Sequence, residues 1–184
     1  TLAVGEGAAA NAQSSIAILK GRANGVDSFA AGRGVVASGI SSFAAVGETN
    51  SNTEASGDYS IALGLNAKAK NINSIAIGRL NTVSGTRTIC LGLANSDGNG
   101  FDDGIVIGKG SEIKQNKAIT IGFEAGRTHS RGITIGTNAQ SRSGAIGIGF
   151  NADASANQSI ALGFNSFTDN LSSVALGGRS QNNN

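Results

Sequence analysis

The stretch SIALGLNAKAKNINSIAIG, from Ser60 to Gly78, contains nearly the same apolar pentapeptide twice, as SIALG and again fourteen residues later as SIAIG. This spacing is too short for a domain and too long for a single strand. Related copies run along the whole chain and close at Gly5, Leu19, Gly32, Gly47, Gly64, Gly78, Gly92, Gly108, Gly122, Gly136, Gly149, Gly163 and Gly177. Internal repetition of this kind predicts a solenoid, in which each copy forms one turn stacked on the next.

The composition agrees with thin stacked layers rather than a thick globular core. The chain has 184 residues, with 28 Gly, 7 Phe, 1 Tyr and no Trp, Met or Pro. A net charge of +2 is too small to indicate nucleic acid. We therefore expect no nucleic-acid partner. No apolar run reaches the length of a membrane span, so we also expect no direct membrane insertion by this segment. The single Cys90 excludes an intrachain disulfide and a cysteine-cluster metal site.

Each repeat has two halves with different patterns. The first half is apolar on both faces of a short strand and ends in a glycine, and its motif residues are Ile61, Leu63, Gly64, Ile75, Ile77, Gly78, Ile160, Leu162 and Gly163. The second half alternates small and polar residues, as in Ala67, Lys68 and Ala69, which is typical of a strand with one buried face. Asn or Gly two residues after the closing position, as at Asn66, favours the left-handed backbone of a tight turn.

The sequence therefore predicts an all-β parallel solenoid with two strands and two corners per turn of 14 residues. We expect a single domain over residues 1–184 of about thirteen turns, with insertions near 47–60 and 95–104. Because the N-terminal TLAVG already lies inside the pattern, the chain is expected to be a fragment of a longer one. One face of each first-half strand packs on the second-half strand, whereas the other needs cover from self-association. The pattern leaves open whether Ile or Ala faces the axis of that assembly.

The motifs SIALG at 60–64 and 159–163, SIAIG at 74–78 and SVALG at 173–177, with NAKA at 66–69 and NADA at 151–154, resemble the YadA-like head domains of trimeric autotransporter adhesins. The resemblance implies a left-handed parallel β-roll in an intertwined or side-by-side homotrimer. It also implies exposure on the bacterial cell surface beyond the outer membrane, a role in virulence, and adhesion to extracellular-matrix proteins, host cells or other surfaces. No cofactor and no metal are implied. Leu19 in place of a glycine, and AAVG at 44–47 after Phe43 rather than Ser, depart from the repeat.

Basic residues recur between Lys109 and Arg142. Six of them form a predicted outer ligand-binding face, namely Lys109, Lys114, Lys117, Arg127, Arg131 and Arg142. A threefold assembly would turn them into a basic belt that attracts acidic ligands. A merely solvated polar face is the other interpretation, since the outer positions of a solenoid must be polar.

Three local features have a functional and a plain interpretation. Asp97, Asn99, Asp102 and Asp103 offer oxygen ligands for calcium, but the loop lacks a calcium-binding spacing, which favours a solvated loop. His129 has no catalytic partner nearby in sequence and is predicted to be an exposed turn residue. Cys90 stands where most copies have Ala and is predicted to be a small buried residue; if its face met a trimer axis, three thiols would lie close together.

Other functional classes remain open from the sequence. A structural fibre segment of a phage tail or surface filament would have the same repeat without its own ligand. An acyltransferase on a hexapeptide solenoid is disfavoured, because that solenoid has three sides and this chain offers no nucleophile and base pair, so we expect no enzyme. An ice-binding array would need more than the two threonines Thr120 and Thr134.

Overall fold

The computed structural model describes residues 1–48, 52–126 and 128–182. It separates into two compact units, unit 1 over Thr1–Ala94 and unit 2 over Asn95–Asn184. No helix occurs among the described residues. The described part of the chain therefore contains no apolar helix that could cross a membrane. The predicted insertion near 47–60 lies partly outside the described residues.

Unit 1 is built from short strands that alternate between the two halves of the repeat. They are β1 (Leu2–Val4), β2 (Ala9–Ala10), β3 (Ile16–Ile18), β4 (Arg22–Ala23), β5 (Phe29–Ala31), β6 (Val35–Ala37), β7 (Phe43–Ala45), β8 (Thr53–Ala55), β9 (Ile61–Leu63), β10 (Lys68–Ala69), β11 (Ile75–Ile77), β12 (Thr82–Val83) and β13 (Ile89–Leu93). The odd-numbered strands are first halves and pair in parallel in chain order, and the even-numbered strands form a second parallel sheet. Seven turns of a two-sided parallel solenoid result.

Unit 2 continues the same plan with six turns. Its strands are β14 (Ile105–Lys109), β15 (Ile119–Phe123), β16 (Ile133–Ile135), β17 (Gln140–Ser141), β18 (Ile146–Ile148), β19 (Asp153–Ala154), β20 (Ile160–Leu162), β21 (Phe167–Thr168), β22 (Val174–Leu176) and β23 (Gln181–Asn182). First halves pair in the order β14-β15-β16-β18-β20-β22, and second halves in the order β17-β19-β21-β23. In its first turns the second halves pair through single bridges, Ser96 with Glu112, Ile113 with Thr128 and Gly126 with Gln140.

The register decides which side chains form the core. Ala62 lies opposite Ala76 between β9 and β11, and both are fully buried. The flanking Ile61 and Leu63 point the other way and stay half-buried. Because successive side chains of a strand point to opposite faces, Ala lines the interior of each roll and Ile or Leu forms its outer surface. The alternation predicted for the second halves is confirmed, since Lys68 is half-buried and Ala69 is buried.

Hydroxyl groups stabilise the corners that precede many of the first-half strands. Ser60 Oγ donates to the carbonyl oxygen of Gly57 at 2.6 Å, and Ser74 Oγ donates to that of Asn71 at 2.6 Å. The predicted left-handed residue of the other corner is also confirmed, since φ is 58° at Asn66. We call the corner after a first-half strand the first corner and the corner after a second-half strand the second corner.

The sequence alignment of the fourth copy is wrong by one residue. Phe43 pairs with Phe29 on one side and with Ile61 on the other, so it occupies the Ile position of the repeat. Val46, with φ of 67°, therefore stands where other copies have the closing glycine, and Gly47 lies one residue later. AAVG resembles the motif by letter, but Ser42 is the buried corner residue.

A chain of buried hydroxyl groups runs through the interior of unit 2. The Oγ1 atoms of Thr120 and Thr128 are 2.6 Å apart, Thr128 donates to Thr134 at 2.7 Å, and Thr134 Oγ1 lies 2.7 Å from Ser141 Oγ. All four residues are buried. The two threonines of ITIG thus point into the roll, so they form no outer array of the kind that ice binding requires.

Candidate functional site

In each unit the outward side chains of the first-half strands form a surface, which we call the outward apolar face. In unit 1 it includes Ile61, Ile75 and Ile77, and Ile77 is 37% exposed. Phe29 and Phe43 stack on it with ring centroids 4.7 Å apart and planes within 4°. In unit 2 the motif residues Ile160 and Leu162 are half-buried in the same orientation. Contiguous exposed apolar surface of this kind marks an interaction site.

The predicted basic residues lie at three different places in the repeat. Lys109 ends β14 at a first corner, where its Nζ lies 5.2 Å from the centroid of the Phe123 ring. Lys117 and Arg131 occupy second corners of successive turns, with φ of 60° and 56°. All three side chains are exposed. The structure therefore does not gather the predicted face into one patch, and Arg127 lies outside the described residues.

Lys114 and Arg142 do come together, with His129 between them. The backbone N–H of Lys114 donates to Thr128 O at 2.8 Å, and the N–H of His129 donates to Ser141 O at 3.3 Å. These bonds place Lys114, His129 and Arg142 at matching positions of three successive turns, each just after the second-half pairing. Parallel neighbours are about 4.8 Å apart, so the three side chains project from adjacent rungs.

These residues line an outer groove of about 340 Å³ together with Gln140 and Asp153, and we call it the basic groove. Ser141, Ala154 and Ser155 complete its lining. Lys114 and Arg142 are exposed, whereas His129 is half-buried and its Nδ1 lies 3.3 Å from Ser141 O. The groove therefore combines two basic side chains with an imidazole and several hydrogen-bonding groups.

Two carboxylates border the basic groove. Lys114 Nζ forms an ion pair with Glu112. At the other end Asp153 Oδ1 accepts a hydrogen bond from Ser155 Oγ at 2.6 Å. The charge is thus mixed, with Lys114 and Glu112 on one end rung, Arg142 on an inner rung and Asp153 on the other end rung. A dense polyanion would meet both carboxylates, whereas a small ligand with one anionic group would not.

The prediction that His129 is an exposed turn residue is wrong. It follows Thr128, which is buried and bridges to Ile113, so it belongs to the end of a second-half segment. No repeat motif marks this position, because the pairing register shifts nearby, from the pair Gly126 and Gln140 to the hydrogen bond of His129 with Ser141. Sequence reasoning also missed Gln140, which looked like one more polar outer residue.

The loop at 95–104 is only partly the solvated loop that the sequence favoured. Asn95 and Asp97 are buried. Asn95 Nδ2 donates to Gly108 O at 2.8 Å, and Asn95 Oδ1 accepts from the backbone N–H of Ser111 at 3.0 Å. The start of the loop therefore fills a place in the solenoid. Within residues 1–48, 52–126 and 128–182, no group of three or more His, Cys, Asp or Glu side chains is arranged to hold a metal ion.

Cys90 confirms its prediction as a small buried residue. It lies opposite Ala76 in the ladder and is fully buried inside its own roll. Its thiol therefore faces the interior of the roll and away from the outward apolar face.

The fold defines the chain as a parallel β-solenoid protein with a repeat of about 14 residues. The sequence model of the YadA head domain repeat matches residues 51–67, 55–81, 69–92 and 143–166. These segments of the chain match YadA head domain repeats, and they include the motif residues of β9, β11 and β20.

Among solved structures, the chain is similar to the collagen-binding domain of the Yersinia adhesin YadA, with 19% sequence identity and a TM-score of 0.38. That comparison covers 88% of this chain and 64% of the other, so the chain spans less than two thirds of that domain's length. No curated protein matches the chain in sequence.

Proposed function

We propose that the chain is the non-enzymatic head of a bacterial adhesin, exposed on the cell surface beyond the outer membrane. In this role it assembles as a homotrimer of left-handed rolls and binds extracellular-matrix proteins, host cells or other surfaces. The YadA head domain repeats support the class of protein. The observation that carries the proposal is the outward apolar face, which requires a partner along the length of each unit.

Burial of this face gives the physical reason for self-association. Each turn contributes apolar side chains such as Ile75 and Ile77 that are half-buried or exposed within the chain. Removing one large apolar side chain from water contributes about 1.5–3 kcal/mol. A second copy of the chain carries the same face at the same repeat spacing. In an assembly with closed symmetry, each copy covers the outward apolar face of a neighbouring copy.

Adhesion follows from multiple presentation of weak sites. A trimer displays each outer patch three times, so that a surface carrying many ligands is bound with an avidity that exceeds the affinity of one patch. The outer second-half strands and corners supply these patches, since their polar side chains lie away from the interior of the roll.

A substitution on the outward apolar face tests the proposal. Ile77→Asp should dissociate the trimer and abolish retention on immobilised collagen or other matrix proteins, because it places a carboxylate in the interface. Ile72→Asp is the matched control, since Ile72 is 47% exposed at a second corner of the same unit. If Ile77→Asp leaves both assembly and retention intact, the outward apolar face is not the trimer interface.

A structural fibre segment is the second candidate function. It is favoured by the position of the repeat motif, whose residues lie in the strands and corners that build the scaffold. A wild-type trimer that binds neither matrix proteins nor host cells would support this alternative over the adhesin.

A further inference from the structure

We propose that the basic groove binds an anionic sugar, that is, a saccharide residue with a carboxylate group beside several hydroxyls. This inference deepens the proposed adhesive function by naming a ligand class for one outer patch, and it rests on that function for its biological meaning. It concerns Lys114, His129, Gln140, Arg142 and Asp153, which all belong to unit 2.

The first argument is the stacking of basic residues on successive turns. Hydrogen bonds from the backbone N–H groups of Lys114 and His129 fix the register, so the three basic side chains leave the sheet from adjacent rungs. A guanidinium binds a carboxylate or sulfate through two parallel N–H donors, and Lys adds a point charge. Arg142 and Lys114 therefore supply the anion-binding part of the groove.

The second argument is the mixture of hydrogen-bonding groups around those cations. Gln140 offers an amide, and Asp153 and Ser155 form a hydrogen-bonded pair at the end of the groove. Sugar hydroxyls both donate and accept, so they can bind a carboxylate and an amide in the same site. The imidazole ring of His129 adds a flat surface for the apolar side of a sugar ring.

The third argument is size and charge. A volume of about 340 Å³ is at the lower end of the range of small-ligand sites, about 300–1,000 Å³. Glu112 pairs with Lys114 at one end of the groove, and Asp153 lies beyond Arg142 at the other, so each end carries a carboxylate. This arrangement disfavours a dense polyanion and favours a ligand with sparse charge.

Binding of defined oligosaccharides to the complete chain tests the inference. The probes are sialyllactose and a hyaluronan hexasaccharide, which carry a terminal and an internal carboxylate, with lactose as the neutral comparison and a heparin hexasaccharide as the dense polyanion. Titration calorimetry should show binding of at least one carboxylated probe, none of lactose, and weaker binding of heparin. The two carboxylated probes distinguish a terminal acidic sugar from an internal one.

A pair of identical substitutions separates the groove from diffuse electrostatics. Arg142→Gln should weaken binding of the carboxylated probe at least about tenfold, since hydrogen bonds to charged groups are the strong ones. Arg131→Gln removes the same charge from an exposed second corner of unit 2 and should change the affinity less than about twofold. Equal weakening by both variants, preference for heparin, or no binding of either carboxylated probe would overturn the inference.

Matrix-protein retention, measured on the same samples, keeps this inference distinct from the proposed function. If wild type is retained on matrix protein but binds no carboxylated sugar, the groove inference fails and the adhesin proposal stands. If it binds the sugar through Arg142 but is retained on no matrix protein, the groove inference stands and adhesion to matrix protein fails.

Discussion

The two units share one backbone repeat but present different side chains at their second corners. In unit 1 four of these corners carry an exposed apolar side chain, with Val26, Ile40, Tyr59 and Ile72 at 39%, 45%, 59% and 47% exposure. In unit 2 Lys117 and Arg131 occupy two of the corresponding corners, whereas Leu171, at 69% exposure, is an apolar residue at another. The backbone of the corner thus accommodates either an apolar or a polar side chain. Corner side chains therefore do not build the scaffold and are available to bind a ligand.

The interiors differ in the same way. Unit 1 fills its first-half core positions with Ala62, Ala76 and similar small residues. Unit 2 places Thr120 and Thr134 there and satisfies their hydroxyls with Thr128 and Ser141. The repeat therefore requires a small side chain inside but accepts a polar one where a second hydroxyl completes its hydrogen bonds.

The closing glycines should be equally critical in both units, with the largest effect of any single substitution. A Cβ on Gly78 would overlap the carbonyl oxygen of Gly92, and one on Gly136 would overlap that of Gly149. Both glycines also have φ in the left-handed region, at 115° and 133°. We expect Gly78→Ala and Gly136→Ala each to lower the free energy of unfolding by roughly 3–5 kcal/mol, measured by urea denaturation.

Gly177→Ala is the matched control, because Gly177 has φ of 102° but no atom within 4 Å of an added Cβ. It should cost only about 1–2 kcal/mol, from backbone strain. If all three substitutions cost the same, close approach of successive turns is not the reason for the glycine.

The hydroxyl chain predicts a difference between single and combined substitution in unit 2. Thr134→Val leaves Thr128 and Ser141 without their shared partner and should cost about 1–3 kcal/mol. A combined variant replaces all four linked hydroxyl groups, with Thr120, Thr128 and Thr134 changed to Val and Ser141 to Ala. It should recover much of that loss, because none of these four buried hydroxyls then remains without a partner. Thermal denaturation of both variants measures the effect, and a combined loss equal to the sum of four single losses would show that the hydroxyls do not act together.

The two phenylalanine pairs provide a comparison of equal chemistry at different positions. Phe29 and Phe43 stack on the outward apolar face, whereas Phe150 and Phe164 stack with centroids 5.3 Å apart outside the strands of unit 2. Phe43→Ala and Phe164→Ala should each remove about 0.5–1.5 kcal/mol of pair stabilisation. Only Phe43→Ala should also raise the concentration at which the trimer dissociates in sedimentation velocity. Equal effects on assembly would place the trimer interface elsewhere.

The smallest effect is expected at the basic corners of unit 2. Arg131→Gln should change the free energy of unfolding by less than about 0.5 kcal/mol, since the side chain is exposed and salt screens its charge. Melting curves at low and high salt check this. A large loss would show that the corner charge belongs to the scaffold.

The sequence predicted the fold because the repeat encodes it at every turn. Gly78 permits a corner, Ala76 fits the thin core, and Ser74 supplies a corner hydrogen bond. The same three requirements recur fourteen residues later. The alignment failed at Val46, where the letters AAVG imitate the motif but the pairing of Phe43 with Ile61 fixes another register. In irregular turns the register of strand pairing cannot be derived from the match of a short sequence motif alone.

The candidate site was less predictable for the same reason. Sequence proximity grouped Lys109, Lys117 and Arg131 with Lys114 and Arg142, yet neighbours in a solenoid are residues one turn apart, so only Lys114 and Arg142 meet in the groove. His129 joins them because the register of the second-half pairing shifts locally, and the sequence repeat did not predict that shift. Surface residues that the scaffold does not constrain leave no periodic signal.

The solution mass of the wild-type chain tests most directly whether other copies of the chain cover the outward apolar face. Light scattering over a wide dilution series should give a mass near three times 18.2 kDa that persists on dilution. A stable monomer would contradict the account, because the Ile and Leu side chains of every turn would then remain in contact with water.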